Sequence, residues 1–404
     1  MKHQYKPLAL LCLMFLTVGA MFTMNDVLLP TVMEYYQLSY VQATLIQVAF
    51  YITYIIFPVP IARMIDRYGY KVSLVLALLI SATGCFLFIP SQFLNSYLIL
   101  LLAIFILSCG ITIINVAANP FTTLLGDPDG AHVRINFVQS FSRMGYAITP
   151  AIAAPLIYNQ SGDIGYYLPY TLIGGLIMLI GMLIYFSDIP AMVSEKQETF
   201  SFMSMLAQSR KYPHLLFGVI AMFFYVGAEA STAGFFIPYL TKVQNIPMEE
   251  AIQFLSLYYI FAAIMGILAS VWLLKFIQAH HLVAILGSYM VCIYLICIFV
   301  TTDYNQYLLA SLGLGLSIMF PTLFSLALEK TGDFAARGSA LLNFALVGGA
   351  AFTPIQGYLA DHFGVAKSYI IPCICFVVIT IYALLFTHKP LNRKAKDLTL
   401  ETIS

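Results

Sequence analysis

The sequence predicts an all-α membrane protein with twelve transmembrane helices in two pseudo-symmetric bundles of six. Two observations set the class: 61% of the 404 residues are apolar, and only 9% are Asp, Glu, Lys or Arg. Soluble domains carry about 25% charged residues, so a water-soluble enzyme is excluded. The net charge of +1 offers no excess of positive charge for a nucleic-acid backbone. The third observation is a weak internal repeat, described below.

Apolar stretches long enough to cross a bilayer divide most of the chain. A helix needs about 20 mainly apolar residues to span about 30 Å of hydrocarbon. Twelve such spans are predicted, at 8–31, 43–64, 72–91, 97–122, 134–158, 165–188, 214–241, 251–277, 282–301, 306–329, 338–360 and 367–388. The first continues to Pro30, too long for a cleaved signal peptide, so we interpret it as an uncleaved span.

The distribution of Lys and Arg predicts that both termini are cytoplasmic. With that orientation only Lys242 and Lys367 fall in outer loops, and Arg143 falls inside a span. All other Lys and Arg residues lie on the cytoplasmic side, as the positive-inside rule requires. We therefore expect a multi-pass protein of the inner (plasma) membrane.

A long polar stretch between the sixth and seventh spans predicts the domain organisation. We expect a six-helix bundle over residues 1–188, a cytoplasmic linker over 189–213, a second bundle over 214–390 and a cytoplasmic tail over 391–404.

The two halves share a weak repeat, as in many transporters. Val18-Gly19-Ala20 in span 1 matches Val226-Gly227-Ala228 in span 7 at an offset of 208, and Tyr51-Ile52 matches Tyr259-Ile260 at the same offset. At that offset Asp26 pairs with Gly234, and Glu229 pairs with Met21. Each half therefore carries one carboxylate, at different heights.

Ionisable residues inside spans are costly and usually face a bundle interior or a watery cavity. Asp26, Arg143 and Glu229 are the candidates here, with structural alternatives for each. Asp26 is either functional or a headgroup-level carboxylate, Glu229 either functional or an interhelical hydrogen-bond partner. Arg143 either lines a cavity or forms a salt bridge with Asp26 or Glu229.

Amide side chains supplement these charges. Asn136, Gln139 and Arg143 share one face of span 5, and Asn115 and Asn119 share one face of span 4. Asn343 occupies the related region of span 11. Amides offer both donors and acceptors, as a polyhydroxylated ligand such as a sugar requires, although interhelical hydrogen bonds are the alternative.

The loop after span 2, Ala62–Lys71, is similar to a loop signature of the major facilitator superfamily, with Ala62 and Tyr70 as departures. Within it, Asp66 and Arg67 are candidate gating residues: the carboxylate is suited to hold a neighbouring helix end in one state. A similar segment, Gly357–Gly364, follows span 11 on the outer side, so we do not count it as a second copy.

Several motifs together resemble one branch of that superfamily, the fucose–proton symporter and glucose/galactose porter family. The resemblance extends over most of the chain and rests on these motifs: Asn25–Pro30, Ile46–Tyr51, Ala117–Phe121, Arg134–Phe141, Tyr225–Glu229, Ile318–Thr322, Val347–Ala350 and Gln356–His362. The resemblance implies the major facilitator fold and proton-driven uptake of a hexose.

The resemblance also implies roles for residues. It implies a proton-linked carboxylate in span 1, matched by Asp26, and another in span 4, where this chain has Asn115. A polar position near the sugar falls on Ser142, followed by an unexpected Arg143. Asp26 and Glu229 are then the carboxylates left for proton coupling.

The predicted function is secondary active import of a hexose by proton symport with alternating access, without enzymatic activity, cofactor or metal, by a monomer in the bilayer. The predicted substrate-binding residues are Asn115, Asn119, Asn136, Gln139, Ser142, Arg143, Glu229 and Asn343. The alternatives are an uncoupled sugar facilitator, or a carrier or exporter of a small organic or sugar acid bound through Arg143. A membrane enzyme is disfavoured because all seven His residues fall in loops, tails or span edges. A sensor is disfavoured because no stretch remains for a soluble output domain.

Overall fold

Twelve helical units, α1–α12, follow the predicted order in the computed structural model, which describes residues 5–125, 131–157, 165–187 and 202–385. They are α1 Tyr5–Tyr36, α2 Tyr40–Ile56, α3 Pro58–Phe93, α4 Tyr97–Leu124, α5 Ala131–Ile157, α6 Tyr167–Phe186, α7 Pro213–Lys242, α8 Met248–Leu268, α9 Ala279–Phe299, α10 Asn305–Leu328, α11 Arg337–Phe363 and α12 Val365–Leu385. A short helix, Phe202–Ser209, precedes α7. Most of the predicted linker and the whole predicted tail lie outside the described residues.

Ten of the described units are long and apolar enough to cross a membrane, against twelve predicted spans. The two others are α2, which is short, and α5, which has 27 residues. The polar residues of α5, including Gln139 and Arg143, lower its hydropathy. Within the described residues, the structure therefore has two fewer helices that meet the length and apolarity of a membrane span than the sequence predicts. One is missing because α5 carries polar residues, and the other because the second crossing is divided between α2 and the first part of α3.

The second predicted span, 43–64, differs from the structure in its boundaries. The helix starts at Tyr40, turns at Thr44 and Ile52, and ends at Ile56. It resumes at Pro58, and Gly69, with φ at +76°, separates the end of the second crossing from the third. Because a positive φ strains residues with a side chain, glycine at 69 allows this sharp reversal.

Close helix packing repeats in the two halves. In the first half, α1 packs on α5, and a Cβ at Gly19 would collide with the backbone carbonyl of Ser142. In the second half, α7 packs on α11, and a Cβ at Gly348 would collide with the carbonyl of Phe223. Small residues let helix backbones approach closely inside membranes.

Among the described residues, the main contacts between the halves are those of α1 with α7, α2 with α11, and α5 with α8. The helices α1, α5 and α7, which carry Asp26, Arg143 and Glu229, therefore all lie at the boundary between two six-helix bundles.

Candidate functional site

The centre of the boundary between the halves holds a buried carboxyl group, that of Asp26 on α1. Its side chain is 7% exposed. Asn25 donates through Nδ2 to Oε1 of Gln47 at 2.7 Å, and Gln47 donates through Nε2 to Asp26 Oδ1 at 3.5 Å. The carboxyl group is therefore enclosed by protein and contacted by an amide side chain.

The second half supplies another donor to Asp26. The hydroxyl of Tyr259 on α8 donates to Asp26 Oδ2 at 2.7 Å. The ring of Tyr259 packs on Tyr146 of α5, with ring centroids 5.2 Å apart. The two oxygens of one carboxyl group thus accept from different halves of the protein.

Glu229, on α7, lies across the boundary from Asp26. It is half-buried, interacts with the side chain of Tyr225 one turn earlier, and is close enough to Asp26 for their charges to interact. The structure therefore brings together both carboxyls predicted for proton coupling.

Arg143, on α5, contacts the second half near the C-terminal end of α8. A Cβ built on Gly266 would lie 3.0 Å from Nη1 of Arg143 and 3.8 Å from the Ser317 side chain. Within the described residues no ion pair joins Arg143 to Asp26 or Glu229, so the predicted alternative of such a salt bridge is not formed in this structure. The small residue at 266 leaves room for the guanidinium beside α8.

Asn115 replaces the carboxylate that the family resemblance implies in the fourth span. Its Nδ2 donates to the hydroxyl of Tyr54 on α2 at 2.9 Å. This amide is therefore held between α4 and α2, within the first half.

The remaining predicted ligand residues are placed unevenly. Gln139 and Ser142 are half-buried on α5, whereas Asn343 on α11 is exposed. The side chains of Asn119 and Asn136 lie outside what the structure describes.

Sequence reasoning assigned no role to three residues of the cluster: Gln47, Tyr146 and Tyr259. Gln47 stands in the motif Ile46–Tyr51, and Tyr259 belongs to the repeated Tyr-Ile pair. Both signals were present in the sequence, but neither indicated Asp26 as the partner.

The end of α11 at Asp361 and the segment that holds Asp66 and Arg67 differ in their contacts. Asp361, at the end of α11, accepts from the backbone N–H groups of Tyr40 and Val41 at the start of α2, at 2.8 and 3.0 Å. Gly357 lets α11 approach, since its Cβ would lie 3.0 Å from the Tyr40 carbonyl. At the opposite face, Arg67 lies over the ring of Tyr68, and Asp66 forms no hydrogen bond or ion pair within the described part of the chain.

A cross-boundary site of buried polar groups between two six-helix bundles defines a membrane transporter of the alternating-access type. The family model for the Major Facilitator Superfamily matches residues 11–354. The chain belongs to this superfamily.

Relatives and solved structures extend the comparison. The chain is 33% identical over 391 residues to a glucose/galactose transporter of Brucella abortus, covering 93% of this chain and 92% of that protein. It is 29% identical over 408 residues to the L-fucose-proton symporter of Escherichia coli, with the same coverage. The crystal structure of the E. coli fucose:proton symporter superposes with a TM-score of 0.70 at 27% identity, over 96% of this chain and all of that one. A D-xylose-proton symporter structure shares the fold, with a TM-score of 0.75 at 13% identity.

Proposed function

We propose that this protein imports a hexose of the glucose, galactose or fucose class together with protons, by alternating access of two six-helix bundles. The observation that carries the proposal is Asp26, a buried carboxyl whose oxygens accept from both halves. It stands in a chain whose relatives are named as transporters of these sugars. The function is transport rather than catalysis. The bundles are those over 1–188 and 214–390, joined by the linker 189–213.

Proton coupling rests on Asp26 and Glu229. An amide cannot bind and release a proton in the physiological range, so Asn115 cannot act as the second carboxyl. Glu229 lies across the boundary and interacts with Asp26. The second proton-linked carboxyl therefore comes from α7 of the opposite half instead of from α4.

Hydrogen-bonding groups around this pair suit a neutral sugar. The Oδ1 atom of Asn25 is buried and has no partner within the described residues, leaving an acceptor for a hydroxyl group. Buried polar groups need partners, and a bound sugar supplies them. The proposed sugar-site residues are Asn115, Asn119, Asn136, Gln139, Ser142, Arg143, Glu229 and Asn343.

Gating follows from the two faces of the α2–α11 pair. With both termini cytoplasmic, the contact of Asp361 with α2 closes the outer face. Asp66 and Arg67, at the inner end of the same crossing, are then free to form their contacts when the inner face closes. We place the protein in the bacterial inner membrane as a monomer whose partners are the lipid bilayer, the sugar and protons.

The test is uptake into proteoliposomes of radiolabelled D-glucose, D-galactose and L-fucose, with and without an imposed acid-outside pH gradient. We expect accumulation of at least one sugar that collapses with a protonophore. Uptake insensitive to the gradient would establish a facilitator, and absence of uptake for all three would refute sugar transport.

Arg143 favours a second candidate, a carrier for a sugar acid or another small organic acid. Its guanidinium lies at the α5–α8 contact without a carboxylate partner at ion-pair distance in the described chain. Such a group binds carboxylates well. Uptake of glucuronate that exceeds sugar uptake, and is lost in Arg143→Gln, would support this candidate.

A further inference from the structure

The hydrogen bond from Tyr259 to Asp26 crosses the boundary that must open and close during transport. Tyr259 belongs to α8 and Asp26 to α1, and the hydroxyl lies 2.7 Å from Oδ2. Rocking of the two bundles changes distances across this boundary more than distances within either bundle. The bond is therefore tied to one arrangement of the two halves.

The surroundings of Asp26 make this donor important. Across the described residues, no Lys, Arg or His lies within ion-pair distance of its carboxyl group. The other donor, Gln47 Nε2, is at the long distance of 3.5 Å. The remaining groups that interact electrostatically with Asp26 are acidic or phenolic: Glu229 on α7, Tyr51 on α2, Tyr146 on α5, Tyr170 on α6 and Tyr258 on α8. The Tyr259 hydroxyl therefore supplies the short hydrogen bond that stabilises a negative charge on Asp26.

The internal repeat gives Tyr259 a counterpart. At the 208 offset it matches Tyr51, which lies on α2 in the first half. Tyr51 interacts electrostatically with Glu229 of the second half, and its ring covers the backbone of Gly349 on α11. Each half thus carries one tyrosine that interacts with the carboxyl of the other half, but among the described residues only Tyr259 forms a hydrogen bond with it in this arrangement.

We infer that Tyr259 is a positioning residue that links the protonation of Asp26 to the contact between the two halves. With Asp26 ionised, the hydroxyl donates a charge-assisted hydrogen bond, which is roughly twice as strong as a neutral one. When a proton from water binds the carboxylate, the tyrosine keeps its own proton and the bond becomes neutral and weaker. The bond thus stabilises the empty, deprotonated carrier in the arrangement of this structure, in which the outer face is closed. This inference rests on the proposed symport function.

The role predicts a difference between two modes of transport. Net uptake requires Asp26 to release its proton at every cycle, a step that the Tyr259 bond favours because it stabilises the ionised carboxylate, whereas exchange of internal for external sugar uses only the loaded, protonated form. Loss of the Tyr259 bond should therefore impair net uptake much more than exchange. A merely structural defect would lower both equally.

The experiment compares Tyr259→Phe with Tyr369→Phe in proteoliposomes, using the sugar that the wild-type protein accumulates best among D-glucose, D-galactose and L-fucose. Phenylalanine keeps the ring contact with Tyr146 and removes one oxygen. Tyr369 on α12 is the matched control, because its buried hydroxyl has no hydrogen-bond partner within the described residues and it lies outside the group of residues around Asp26. For Tyr259→Phe we expect a fall in net gradient-driven uptake of about tenfold, the scale of one charge-assisted bond. Exchange should stay within about twofold, and both rates should stay near wild type in Tyr369→Phe.

A second variant guards against a general defect. In an Asp26→Asn background, adding Tyr259→Phe should leave exchange unchanged, since no charge remains for the hydroxyl to stabilise. An equal loss of net uptake and exchange in Tyr259→Phe, an effect matched by Tyr369→Phe, or a further loss of exchange in the double variant would each overturn the inference. Failure of the wild-type protein to accumulate any of the three sugars refutes the proposed function instead, and it is visible before any variant is compared.

Discussion

The first helices of the two halves, α1 and α7, occupy related positions but differ in chemistry. Asp26 on α1 is buried and accepts from Gln47 and from Tyr259 of the opposite half. Glu229 on α7 is half-buried and interacts with Tyr225 of its own helix. Duplication has kept the packing glycines of both helices while separating the roles of their carboxyls. Asp26 is tied to the contact between halves, whereas the hydrogen-bond partner of Glu229 belongs to its own half.

The largest effect should come from Asp26→Asn, which removes the proton-binding group while keeping an acceptor for Tyr259. We expect gradient-driven accumulation of sugar to be lost and exchange to be retained, measured in proteoliposomes with and without a protonophore. Glu34→Gln is the matched control, because Glu34 is an exposed carboxylate near the end of the same helix. Accumulation that survives Asp26→Asn would show that the coupling carboxyl lies elsewhere.

Glu229→Gln tests whether α7 supplies the second carboxyl. We expect a loss of net uptake of about tenfold, the effect of removing one charged hydrogen-bond acceptor at a half-buried site. Restoring a carboxyl to the first half in the double variant Glu229→Gln with Asn115→Glu should recover part of the loss. A normal proton dependence in Glu229→Gln would leave Asp26 as the one coupling group.

Arg143→Gln separates the neutral-sugar and acid hypotheses. If the substrate is a neutral sugar, we expect the affinity for it to fall by less than about fivefold, because Gln still donates a hydrogen bond. The measurement is isothermal titration of the purified protein with the transported sugar and with glucuronate. Abolished binding of glucuronate in a variant that still binds glucose would move the substrate class toward acids.

The smallest effect should come from Asp361→Asn at the outer face. The carboxylate at a helix start stabilises the contact by about 0.3–1 kcal/mol, so we expect a shift of about twofold to fivefold in the balance of outward and inward arrangements. Labelling of cysteines introduced at the outer ends of α2 and α11 would measure this shift. Asp303→Asn, an exposed loop carboxylate, is the control, and equal labelling in both variants would contradict a gating role for Asp361.

Much of the fold was predictable because apolar length is a local property. The order of the spans and the presence of charge within α1, α5 and α7 required no knowledge of contacts. The boundary of the second crossing was predicted wrongly, since a hydropathy pattern does not show where a helix turns at Thr44 and Ile52 or where Gly69 adopts a positive φ.

The site was predictable only in part. Asp26, Glu229 and Arg143 stand out because charge is rare inside a span, and the structure brings all three to the boundary. Tyr259 did not stand out, because tyrosine is common in this chain, with 27 copies. The segment ending at Asp361 was noticed as similar to the loop signature, but its contact with α2 depends on how the halves are placed.

By itself, the sequence determined that this protein spans a membrane many times and carries three ionisable groups within its spans, because hydropathy and charge act residue by residue. The tertiary structure decided which of them meet. Asp26 and Tyr259 are 233 positions apart and on different halves. Their contact depends on the rotation of two helices and the approach of two bundles, which no local pattern encodes.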